Sequence, residues 1–157
     1  MTSADESSSP RAWPKDLLNG FVAWLVAFVL YLIPGFVVAI PMGFSLGPKL
    51  KDNAAVGAQI GQAVSDLYRS HLSLHFGYII VLGLLILWRA RVTRRTTGNA
   101  TVHGALIAVA PLFLAALPFA AGGHVLLCAI AAVVFLAAGI GGSITGDSHT
   151  HVHTPSV

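Results

Sequence analysis

The sequence predicts an all-α membrane protein built on four transmembrane helices, and three observations carry that prediction. Hydrophobic residues make up 55% of the 157 and charged residues only 10%, where ordinary soluble domains carry about a quarter charged residues. Mean hydropathy is +0.78. The charges are also segregated: no Asp, Glu, Lys or Arg occurs from Leu17 to Pro48, from Ser70 to Trp88 or from Thr96 to Gly146. Composition of this kind excludes a soluble enzyme. The net charge of +3 is no nucleic-acid signal, because the basic residues flank apolar runs and do not cover a face.

A span needs about 20 apolar residues at ~1.5 Å rise each to cross a ~30 Å hydrocarbon layer. Runs at about 21–44, 72–88, 102–121 and 124–144 meet that requirement and define a four-helix domain over 21–144. Lipid offers the backbone no hydrogen-bond partners, so the runs should be helices. No strand-like alternation suggests a barrel.

In chain order, residues 1–20 read as a polar tail ending in an interfacial segment, too long and acidic for a secretory leader. Trp13 and Trp24 fit headgroup positions. Span one follows, with Pro34 far enough inside to remove a helical hydrogen bond and force a kink. The external connection, 45–71, should contain a helix. Asp52 can cap it near Asn53, and Val56, Ile60, Val64 and Leu67 then share one face. Gln59, Gln62, Ser65, Asp66 and Arg69 fall elsewhere on the wheel, as expected for a helix on the membrane surface or folded over the bundle. Gly57 and Gly61 give it a GxxxG for helix packing.

Span two ends in the basic run Arg89-Ala90-Arg91-Val92-Thr93-Arg94-Arg95. Span three carries Pro111, the second expected kink. Span four carries Ala138 and Gly142 as a small-xxx-small pair, with Gly139 and Gly141 beside them, suited to packing in the bundle or against a partner. Residues 145–157 form a His-rich tail.

Basic residues set the orientation. Arg11, Lys15, Arg89, Arg91, Arg94 and Arg95 should be cytoplasmic, leaving Lys49, Lys51 and Arg69 outside and both termini inside. The sequon at Asn99-Ala100-Thr101 then lies on the cytoplasmic side and reads as accidental. Spans one and three also share a pattern. Pro34 to Pro41 and Pro111 to Pro118 both read P-x-F-x-x-A-x-P, and the spans after them open at His75 and His124. A two-plus-two parallel repeat accounts for this, as does chance in a biased composition.

Little chemistry is on offer. No span interior carries Lys, Arg, Asp or Glu, which counts against an ion-coupled transporter. No phosphate-binding loop, nucleophile elbow or CxxC is present. Span polar groups are mainly Tyr31, Tyr78 and Ser143, and the single Cys128 reads as a small apolar-environment residue. His71, His75 and His124 share the outer side and are candidate ligands for haem, a pigment or a divalent metal. His103 belongs to the opposite side. His149, His151 and His153, with Asp147, make a second metal candidate in the tail.

These features point to a non-enzymatic, multi-pass protein of a bacterial inner membrane, an accessory or scaffolding subunit held to partner subunits by helix packing. The alternatives are a haem-, pigment- or metal-binding subunit of an electron-transfer or photosynthetic complex, and a small passive channel or lipid-handling protein framed by the proline-bent spans.

Overall fold

A computed structural model of the chain describes residues 13–49, 52–93 and 99–145, all of which fall in helices or the short segments joining them. The helices are α1 (Trp13–Leu46), α2 (Asn53–Ser70), α3 (Leu72–Val92), α4 (Ala100–Pro111), α5 (Leu117–Ala121) and α6 (Val125–Thr145). Four helical stretches are long and apolar enough to cross a membrane: α1, α3, residues 100–121 and α6. The described residues are thus all-helical, and their composition and helix lengths suit a multi-pass membrane protein.

The ends of the elements have local causes. Asp52 caps α2 by accepting a hydrogen bond from the Ala54 amide at 2.9 Å. Asn99 does the same for α4 through Thr101, at 3.0 Å. The asparagine of the apparent sequon is therefore a helix cap. α1 begins at Trp13, inside the stretch expected to be an interfacial tail, and runs without interruption through Pro34 and Pro41. Directly after Pro111 the helical bonding shifts to a π turn over Leu112–Ala116 before α5 resumes it, a register change of the sort a missing amide provokes. Gly123, at φ 81°, makes the turn into α6. Left-handed backbone there favours glycine.

The chain divides into two compact units. One comprises the described part of residues 1–25 with that of 79–157, and the other is Val26–Tyr78. In the first, packing depends on bare backbone. A Cβ at Gly104 would run into the Gly139 carbonyl and the Ser143 hydroxyl, and a Cβ at Gly139 into the Gly104 carbonyl. Gly142 lies in the same way against Leu87, and Gly20 against Ile107. Among lipid tails no hydrophobic force separates helix from solvent, so close contact of this sort supplies the attraction. Leu82, Ile86, Ile107, Ala131 and Phe135 are fully covered around these contacts. Ser143 is buried too and donates to the Gly139 carbonyl at 3.0 Å.

In the second unit α2 lies along the later half of α1. Val64 and Tyr68 approach Gly35, and Ile60 approaches Gly43. Val56, Ile60, Val64 and Leu67 are half-buried, while Gln59, Gln62, Ser65, Asp66 and Arg69 are exposed. α2 has no fully buried residue.

Candidate functional site

The polar chemistry of the Val26–Tyr78 unit converges on one layer. Tyr31 of α1 and His75 of α3 share a hydrogen bond, Oη to Nδ1, of 2.7 Å. Tyr68 of α2 donates its hydroxyl to the Tyr31 carbonyl at 2.6 Å. The rings are packed as well, with Tyr31 4.8 Å from Tyr68 and 4.7 Å from Tyr78 between centroids. His75 lies parallel to Tyr68 at 6.5 Å. His75 and Tyr78 are buried.

Helical spacing explains the convergence. His75 and Tyr78 stand three residues apart on α3 and so share a face. Gly35 lets Tyr68 approach α1 near the level of Tyr31, since the Tyr68 hydroxyl is the atom nearest a Cβ built there. Chemically, the layer satisfies each polar atom just named with another group of the same layer. Such a network fixes the register of three helices, since buried polar groups must find partners.

The expected ligand histidines have separate surroundings. His71 ends α2, is exposed, and turns its Nδ1 back to the Leu67 carbonyl at 3.1 Å and the Ser70 hydroxyl at 2.9 Å. His75 belongs to the tyrosine layer. His124 is in the other unit, exposed where it opens α6, with its carbonyl accepting from the Cys128 amide at 3.0 Å. Among the described residues no group of three or more His, Cys, Asp or Glu is placed to hold a metal ion. His149, His151 and His153 lie outside the described residues.

The small-residue pairs also differ from one another. Ala138 and Gly142 are buried inside their own unit. Gly57 and Gly61 are exposed, and a Cβ at either would meet nothing within 4 Å. Pro34 is half-buried and Pro111 fully buried.

Sequence reasoning missed a second polar contact. Asp16, in the first turn of α1, is 4% exposed. Its Oδ1 stands 3.0 Å from Nδ1 of His103 in the first turn of α4. The signal was present, because Asp16 closes the polar N-terminal stretch just before the apolar run and His103 opens span three. Reading residues 1–20 as a tail concealed it.

No known protein family matches the chain, and neither a curated protein nor a solved structure is similar enough to match.

Proposed function

We propose that the chain is a non-catalytic accessory or scaffolding subunit of a larger membrane assembly. The observation that carries this reading is the double character of the Val26–Tyr78 unit. On α1, the face turned away from α2 holds Ile33, Phe36, Val37, Ile40 and Phe44, all exposed, with Val37 at 66% and Phe44 at 80%. On α2, the face turned away from α1 is polar. A polar helix face is unfavourable against lipid tails, so this unit is poorly matched to hydrocarbon on all sides. α1 also has 34 residues where about 20 cross a bilayer. Its apolar stripe beyond one crossing then needs a protein cover, and the bulky aromatics on it suit an interface.

The internal bonds of the tyrosine layer, and the absence of Asp, Glu, Lys and Arg from residues 17–48, 70–88 and 96–146, support packing over turnover. The basic residues around Arg89 and Arg91 support a cytoplasmic placement of that end and of both termini, and the Ala- and Gly-rich composition supports a bacterial inner membrane.

The test is isolation from native membranes in mild detergent at endogenous expression, with quantitative mass spectrometry and photo-crosslinkers at Val37, Phe44 and Gln62. A partner of fixed stoichiometry, captured from Val37 and Phe44 but not from Gln62, is the expected result. A homogeneous species containing this chain alone would overturn the reading.

The tyrosine layer favours one alternative, a subunit that binds a pigment or haem at His75. A ring nitrogen held by Tyr31 is how ligand imidazoles are oriented. That alternative requires a visible absorption band in the native protein that His75→Ala abolishes.

A further inference from the structure

We infer that one end of the first unit is a binding surface for the headgroups of anionic phospholipids, with Arg89 and Arg91 meeting the phosphate and Trp13 and Trp88 anchoring at headgroup depth. Packing contacts bring these residues to one end. A Cβ at Gly142 of α6 would meet the Leu87 carbonyl of α3, and a Cβ at Gly104 of α4 would meet the Ser143 hydroxyl of α6. His103, beside Gly104, faces Asp16 of α1 at 3.0 Å. The starts of α1 and α4 therefore lie level with the finishes of α3 and α6. Trp13 and Lys15 are within one helical turn of Asp16, and Trp88, Arg89 and Arg91 follow Leu87 within about one turn.

The charge at this end is one-sided. Among the described residues it gathers the cations Lys15, Arg89 and Arg91 with a single carboxylate, Asp16, which is buried against His103. Asp52 and Asp66 belong to the other unit. Lys15, Arg89 and Arg91 have no ion-pair partner among the described residues, so an anion is what complements them. A phospholipid suits the place better than a small anion, because the cations stand where hydrocarbon ends. Arg89 directly follows the apolar run of α3 and is half-buried. Its guanidinium lies 5.7 Å from the centre of the Trp88 ring, within cation–π range. A guanidinium held on an indole face still presents its edge N–H donors, in the fork that suits phosphate. Trp13 and Trp88 are both exposed, and exposed tryptophans at the ends of spans settle among headgroups, where an apolar ring and a polar N–H are both accommodated. The Val26–Tyr78 unit has cations too, Lys49 and Arg69, but no tryptophan.

The experiment titrates phosphatidylglycerol into the full-length protein in detergent micelles and counts bound lipid by native mass spectrometry, with phosphatidylcholine of the same acyl chains as the neutral reference. The wild type should bind phosphatidylglycerol about tenfold more tightly or better, and inorganic phosphate at matching concentrations should not displace it. Arg89→Gln combined with Arg91→Gln should remove about tenfold of that affinity and leave phosphatidylcholine binding unchanged. Arg91→Gln alone, at an exposed position, should remove about fivefold and decides the matter if the double variant fails to fold. Lys49→Gln combined with Arg69→Gln takes the same charge from the other unit and should change nothing. A wild type without preference for phosphatidylglycerol overturns the proposal, as does an undiminished preference in a folded arginine variant. An equal loss in the Lys49 and Arg69 variant also overturns it, reducing the preference to overall charge. Displacement by inorganic phosphate does the same, assigning the cations to a soluble anion.

Discussion

At the scale of single residues, the Tyr31–His75 bond is the polar contact that ties α1 to α3 in the tyrosine layer. Tyr31→Phe keeps the ring against Tyr68 and Tyr78 and removes only the hydroxyl, and with it the hydrogen bond to Nδ1 of the buried His75. The expected loss is about 1 kcal/mol, because unfolded states in a membrane also find partners. Tyr31→Ala should cost more, through the lost ring packing. Denaturation in mixed micelles with increasing SDS measures both, and a Tyr31→Phe protein as stable as the wild type would show the bond to be dispensable. The sequence made the participants visible and their pairing invisible. Tyr31 and Tyr78 stood out as rare polar groups in apolar spans, and His75 as a candidate ligand. Which group answers which depends on where α1 and α3 meet, and nothing local to either helix encodes that. Asp16 and His103 were hidden for the same reason, being 87 positions apart by their own numbering.

At the scale of elements, chain positions that read alike as small residues divide into two physical kinds. Gly104 and Gly139 bring the α4 and α6 backbones together, and a side chain at either would strike a carbonyl. Gly57 and Gly61 have open space at the Cβ position. Gly139→Leu should therefore force α6 away from α4 and cost about 3 kcal/mol or more, the upper range for overpacking. Gly61→Leu should leave stability unchanged or raise it slightly, since a glycine inside a helix gives way to a better helix former. Paired SDS titrations of the two variants check this, and equal losses would contradict the packing described. Motif spacing could not separate these cases, because GxxxG states only that two backbones can approach. The capped start of α2 and its apolar face were legible, since Asp52 and the Val56–Ile60–Val64–Leu67 series are local. The early start of α1 at Trp13 was not. It coincides with tertiary contacts at Asp16 and Gly20 that no window around residue 13 contains.

For the whole molecule, the decisive property is the direction in which the helices cross the membrane. Four spans were legible because hydrophobic length alone defines them. The orientation proposed for them rests on where the basic residues stand. Arg89, Arg91, Arg94 and Arg95 follow α3, Arg11 and Lys15 accompany the start of α1, and Lys49, Lys51 and Arg69 lie in the intervening connection. Cysteines placed singly in a Cys128→Ala background report that orientation. Ser45→Cys should react with a membrane-impermeant maleimide on intact bacterial cells, and Thr97→Cys only after permeabilisation. The cause is open to test in the same assay. In the proposed orientation, replacing Arg89, Arg91, Arg94 and Arg95 with Gln leaves two basic residues, Arg11 and Lys15, on the cytoplasmic side against three outside, which should reverse the charge bias. A fraction of molecules should then expose Thr97→Cys and protect Ser45→Cys. An unchanged labelling pattern would mean that the orientation is fixed elsewhere, by the order in which the spans insert or by a partner already in the membrane.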